Sequence, residues 1–102
     1  QFDLALVEYA KAIEQYPESW YSYYHLAWGY YMNEQYTDAI ATIEKTMELN
    51  AKNLGIYIRA GQIYESSGMI DKALDAYQRV LELDSDNEIA QEAIQRLSQP
   101  DE

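Results

Sequence analysis

Apolar and polar positions along the chain recur at the three-to-four spacing of helices, and the pattern then repeats itself on a longer scale. Phe2-Asp3-Leu4-Ala5, Tyr36-Thr37-Asp38-Ala39 and Ile70-Asp71-Lys72-Ala73 stand 34 residues apart. In the same register Ala5, Ala39 and Ala73 are followed four residues on by Tyr9, Ile43 and Tyr77. A small residue lets a neighbouring helix come close and the large one fills the gap behind it, so these are predicted core positions. Lys11, Lys45 and Arg79 also repeat, in the latter part of helices ending near Gln15, Leu49 and Leu83, where a cation complements the helix dipole. Asp3, Thr37 and Asp71 are candidate N-caps for those helices, and Ser19, Asn53 and Asn87 for the helices that follow.

The series resembles the tetratricopeptide repeat family, whose pattern is an aromatic or Leu, a Leu-Gly pair, Tyr, Ala, an aromatic and Pro, with a period of about 34 residues. One repeat reads Tyr23, Leu26-Ala27, Tyr30, Ala39 and Ile43, with Ala51 in the Pro position. The next reads Tyr57, Ala60-Gly61, Tyr64, Ala73 and Tyr77, with Ser85 there, and only the opening half-repeat keeps its proline, Pro17. The resemblance covers essentially the whole chain. It implies an all-α fold, a right-handed α-solenoid of antiparallel helix hairpins with a C-terminal capping helix. In this register a half repeat occupies 1–19, full repeats 20–53 and 54–87, the capping helix 88–98 and a disordered tail 99–102. The capping helix follows from Ile89, Ala93, Ile94 and Leu97 interleaved with Gln91, Glu92, Gln95 and Arg96. The opening helix lacks a hairpin partner, which predicts an open N-terminal edge that something else covers. Gln1 is not Met, so a fragment or a processed chain is expected.

In this family the first helix of each hairpin lines a concave groove that holds peptides or short helices, so the groove is read from those helices. The first, Trp20 to Met32, is apolar or aromatic nearly all round, as helices buried on more than one side are. Tyr23, Leu26, Ala27 and Tyr30 are assigned to packing on Ile40, Ile43 and Met47. Tyr21, Tyr24, Trp28, Tyr31 and Met32 are left over, and their spacing makes them one stripe. Two readings of the stripe stand open: it meets a partner, or it is tolerated in solvent or packs against a helix of a preceding repeat. Burying roughly 100 Å² on each of four rings at ~25 cal/mol per Å² gives about 10 kcal/mol, against an association cost of roughly 4 to 15 kcal/mol, so weak to moderate affinity is expected. On the neighbouring groove helix Arg59 and Gln62 join the candidate partner-binding residues. Arg59 is suited to a partner carboxylate or, equally, to Glu65 or another local acid. Arg59 alone does not make the Lys and Asn clamp of chaperone-tail adaptors.

Charge and composition narrow the chemistry further. A net charge of -11 disfavours phosphate backbones and anionic lipid surfaces, so neither nucleic acid nor membrane is expected as a partner. There is no cysteine, and His25 is the only histidine, which leaves no common zinc site and assigns His25 to packing or hydrogen bonding in the groove. Asp84-Ser85-Asp86-Asn87-Glu88 begins like a calcium loop, but Ile89 stands where the turn needs Gly and Gln95 where the bidentate Glu belongs. No phosphate loop or nucleophile motif is present, so no cofactor and no enzymatic activity are expected. The expected function is a scaffold binding a peptide or helix segment of a partner protein with apolar anchors. The alternative is self-assembly, a homodimer or larger homo-oligomer formed through the N-terminal edge around Phe2, Leu6 and Tyr9 together with the aromatic helix. A cytoplasmic location is the default for such a module.

Overall fold

The computed structural model describes residues 2–17 and 19–99, with side chains described from Leu6 onward. The side chains of Phe2, Asp3 and Ala5, and the tail beyond Gln99, lie outside the described residues, and with them the expected Asp3 cap, the Phe2 edge and the disorder of the tail. The described residues form six helices and no strand: α1 (Phe2–Gln15), α2 (Trp20–Met32), α3 (Tyr36–Leu49), α4 (Leu54–Ser66), α5 (Ile70–Leu83) and α6 (Glu88–Leu97). They fall into two compact units, residues 1–51 and 52–102. In the first, α2 packs on both α1 and α3; in the second, α5 packs on both α4 and α6.

Each unit is organised by a hairpin whose core positions are those with repeat spacing. Leu26, Ala27, Ala39 and Ile43 are buried in the first unit, and Ala60, Gly61, Tyr64, Ala73 and Tyr77 in the second. Each large apolar side chain removed from water stabilises the fold by about 1.5–3 kcal/mol. Tyr9, which shares the register of Ile43 and Tyr77, departs from its expected core status and remains partly exposed, because α1 packs chiefly on the single helix α2. Thr46 is the buried polar side chain of α3, and its hydroxyl donates to the Thr42 carbonyl at 2.8 Å, so the core carries no unsatisfied hydroxyl there.

The tightest contact in the second hairpin sets a glycine against an aromatic ring. A Cβ built at Gly61 would lie 2.6, 2.7 and 2.8 Å from three ring carbons of Tyr77. Tyr77 is 2% exposed, so its ring has nowhere to retreat. In the first hairpin the corresponding positions are Ala27 and Ile43, both fully buried, where a slightly larger small residue accompanies a smaller large one.

Both hairpin turns are three residues long and close in one way. The Glu34 N–H donates to the Tyr31 carbonyl (3.0 Å) and the Gln35 N–H to that of Tyr30 (2.8 Å); Gly68 and Met69 repeat this on Glu65 (3.1 Å) and Tyr64 (2.9 Å). This double bond pattern satisfies the last helix carbonyls and needs a left-handed residue after the cap, supplied by Gly68 at φ 79° and, less comfortably, by Glu34 at φ 60°. The turn delivers the chain straight into the next helix. For that reason α3 and α5 begin at Tyr36 and Ile70, with Gln35 and Met69 as N-caps that make no side-chain cap bond. Thr37 and Asp71 are thus corrected from caps to first-turn residues, where Asp71 still favours the helix dipole.

The longer connections between hairpins use true side-chain caps. Asn53 accepts from the Ile56 N–H at 3.3 Å and Asn87 from the Ala90 N–H at 3.0 Å. Ser19 sits at the N-cap of α2 without capping it, its hydroxyl donating instead to that of Ser22 at 3.3 Å. Asp84 accepts from the Asp86 N–H (3.3 Å) and the Asn87 side-chain amide (3.5 Å), so the calcium-like stretch is a turn that leads into a helix cap. Lys45 and Arg79 stop short of the last turn, and the dipole role expected of them is replaced by pairs with Glu48 (3.8 Å) and Glu82 (2.7 Å) one turn on. The basic residue that does occupy a last turn is Arg96 of α6.

Gly61→Ala is expected to destabilise the chain by about 1–3 kcal/mol through overpacking against Tyr77, and adding Tyr77→Ile should recover much of that loss. Urea denaturation of the two single variants and the double variant measures the coupling; additive losses would mean the two positions do not share one space. Glu34→Gly should raise stability by up to about 1 kcal/mol by relieving the left-handed φ, read as an increase in thermal midpoint.

Candidate functional site

Helix α2 runs between two neighbours and keeps a third face outward. Leu26 and Ala27 are buried in the core of the first unit. Toward α1, a Cβ at Gly29 would meet Leu6 Cδ2 at 2.8 Å, and one turn back the ring of Tyr9 stacks on His25 with centroids 5.5 Å apart. His25 therefore lies between helices of one unit, and Tyr21 and Tyr24 of its own helix pack edge-on to it at 4.3 and 5.3 Å. Such edge contacts place the positive ring edge against a π face, and each adds about 0.5–1.5 kcal/mol beyond the area buried.

The remaining rings continue along the helix. Trp20 meets Tyr21 and Tyr24 edge to face at 5.7 and 6.1 Å, while Trp28 stacks on Tyr31 at 4.6 Å and Tyr31 touches Tyr36 of α3 at 5.9 Å. Tyr21 is 59% and Met32 46% exposed; Tyr24, Trp28 and Tyr31 are part-buried. The stripe is thus two sets of rings, Tyr21 and Tyr24 packed around His25 and Trp28 stacked on Tyr31, which with Met32 still present area to solvent. None of the 13 residues of α2 carries a carboxylate, an ammonium or a guanidinium.

Trp20 and Tyr36 join this aromatic assembly beyond the site residues the sequence offers, and Tyr9, offered there for the N-terminal edge of a self-assembly surface, joins it through His25. Trp20 could have been found from its position one turn before Tyr24. Tyr36 required the turn geometry, because only a tight three-residue closure brings the first residue of α3 back beside Tyr31. The core register of Tyr9 does not show that its ring stacks on His25.

The second unit offers a different chemistry on α4. Arg59 and Gln62 are both part-buried, and the Gln62 Oε1 is buried without a hydrogen-bond donor among the described residues. A buried amide oxygen left unpaired costs roughly 1–3 kcal/mol, a reason for a donor to be drawn to it. Glu65, proposed as a neighbour for Arg59, is also engaged from α6: both terminal guanidinium nitrogens of Arg96 donate to its carboxylate, Nη2 at 3.4 Å, and Tyr77 donates its hydroxyl to it at 3.4 Å. The hydrogen bond from Arg96 to Glu65 holds the guanidinium above the ordinary arginine range. A raised value stabilises below the unfolded range and is lost only above it, so this contribution is constant across neutral pH. Elsewhere Tyr rings carry cations, Arg79 over Tyr57 and Lys72 over Tyr64, each 5.7 Å from the centroid.

Among the described residues no three His, Cys, Asp or Glu side chains converge as a metal site, and no helix is long and apolar enough to cross a membrane. Two family models described as tetratricopeptide repeat match the chain, at residues 8–41 and 56–87. The chain is 35% identical over 77 residues to anaphase-promoting complex subunit 3 of Dictyostelium discoideum, covering 76% of this chain and 8% of that protein. It is 28% identical over 95 residues to small glutamine-rich tetratricopeptide repeat-containing protein 2 of Saccharomyces cerevisiae, covering 93% of this chain and 27% of that one. The chain therefore spans less than a third of the length of these relatives. Among solved structures, the first TPR of Spaghetti (RPAP3) bound to the HSP90 peptide SRMEEVD shares the fold, with a TM-score of 0.89 at 24% identity over 95% of this chain and 77% of that chain.

Arg96→Ala should cost about 0.2–1 kcal/mol, since the pair is largely solvated, and should act locally by loosening α6. Amide exchange read by mass spectrometry is expected to accelerate in 88–97 and to change little in α4; equal protection in the variant and the parent chain would show the pair to be idle.

Proposed function

The chain belongs to the tetratricopeptide repeat family, and from that premise we propose that it is a non-catalytic protein-interaction module that takes a peptide or helix segment of a partner on the outward face of α2. The observation that carries this reading is the set of rings Tyr21, Tyr24, Trp28 and Tyr31, preordered by edge-on packing around His25 and by the Trp28–Tyr31 stack, and still partly open to solvent beside exposed Met32. Tyr and Trp combine a large contact area with few rotors, so rings already fixed by neighbours lose little entropy when a partner seats on them. Their absence of charge fits a partner that brings apolar anchors. His25 supports the face from beneath, between Tyr9 and Tyr21. Arg59 and Gln62 belong to α4 of the other unit and are proposed there, by themselves, as polar contacts for a partner.

The SRMEEVD peptide held by the structurally similar domain is acidic at its C-terminal end. Helix α2 here brings neither lysine nor arginine to hold such carboxylates, so an acidic chaperone tail is not the partner assigned. A second reading, self-assembly, has its support in the exposure of Val7 on α1 together with that of Tyr21 on α2, two apolar side chains of one unit left in solvent.

A displayed peptide library selected on the full chain, with hits measured by calorimetry, tests the first reading. Trp28→Ala is expected to weaken those hits by about tenfold or more, as loss of an aromatic anchor does, while far-UV circular dichroism stays unchanged. Unaltered affinity in a folded variant would remove α2 from the binding surface. Light scattering over a wide concentration range gives the second reading its trial: a dimer that Trp28→Ala dissolves would support it.

A further inference from the structure

We infer that the segment seated on α2 is cationic, an apolar stretch flanked by arginines or lysines; this deepens the docking face proposed above and rests on it. The first unit carries eight acidic residues against Lys11 and Lys45, a net charge of -6 out of the chain's -11. Lys45 is itself paired with Glu48. The charges lie off α2, which contributes none, so the rings form an uncharged strip inside a negative field. An incoming segment is first sorted by that field at distances of about a Debye length, then by the rings at contact.

Both stages select the same sign. A net negative surface accelerates the approach of positive ligands and repels negative ones. Tyr and Trp faces that are at least partly open then hold guanidinium and ammonium groups, more strongly as water is excluded. The chain already uses its rings in this way in the second unit, where Arg79 lies over Tyr57 and Lys72 over Tyr64. A second copy of the chain brings the same excess of carboxylates, so the field opposes it as the occupant of this face.

Two labelled 16-residue amphipathic peptides serve as probes, one with leucines at helical spacing and arginines elsewhere, the other with each arginine replaced by glutamate. Fluorescence anisotropy with the full chain at low and at raised salt is expected to show the arginine peptide binding about tenfold tighter or more at low salt. Raised salt should reduce that preference several-fold. Trp28→Ala should weaken the arginine peptide about tenfold. The double variant Glu8→Lys, Glu14→Lys changes two exposed α1 side chains and leaves every ring in place, so it should shrink the preference without abolishing binding. Equal binding of both peptides with full sensitivity to Trp28→Ala would overturn the cationic assignment and leave the docking face standing. Binding of neither peptide would overturn both. Salt-sensitive binding of the arginine peptide that ignores Trp28→Ala would reduce the effect to general charge attraction and overturn the inference. So would a concentration-dependent dimer abolished by Trp28→Ala, which gives the face to a second copy.

Discussion

The contact between Gly61 and the Tyr77 ring expresses the constraint on which the rest depends: two helices joined by three residues must approach closely along their whole length. Close approach demands a small residue facing a large one, and a short turn demands a left-handed residue, met here by Gly68 and Glu34. Once these positions are assigned, the hairpin has used Leu26, Ala27 and Ile43 in one unit and Ala60, Gly61 and Tyr77 in the other. Whatever large apolar residues a helix carries beyond that set cannot enter the same core. In α4 the surplus is small and mixed with polar groups. In α2 it amounts to a row of rings, because nearly every position of that helix is apolar.

The hairpin core was legible in the sequence because it is written twice at one spacing. Ala39 and Ala73, Ile43 and Tyr77, and the caps Asn53 and Asn87 each satisfy a local requirement that a neighbour a few residues away completes. The failures have a common cause. Thr37 and Asp71 look like caps only if the chain enters the helix from an extended segment, whereas the turn geometry hands it over two residues earlier. Lys45 and Arg79 sit near helix ends on a residue count but one turn too far in for the dipole, and a carboxylate three residues on engages them instead.

The candidate site was legible as a composition and not as a geometry. Spacing alone gathered Tyr21, Tyr24, Trp28, Tyr31 and Met32 on one side of a helix. It could not reveal that Tyr36 folds back onto Tyr31, or that Tyr9 leaves its core role to stack on His25, since both depend on how helices meet. The link from Arg96 to Glu65 spans 31 residues and joins two surface charges, a pairing that no periodicity marks. It engages the same carboxylate that the sequence offers to Arg59.

Charge supplies what shape leaves undecided. An aromatic strip on a neutral chain would accept any apolar segment of suitable length, with affinity limited by the entropy of association. On this chain the strip lies in a unit where acids outnumber bases four to one, so in the recognition we propose encounter is biased before any ring is touched. The rings cannot supply that bias, having no net charge, and the carboxylates cannot supply the apolar contact, since none of them stands on α2. Neither set of residues carries a recognisable motif by itself. Specificity of this kind arises from where the fold separates them, with uncharged rings along one helix and carboxylates on its neighbours, and the close-packed hairpin keeps that separation fixed.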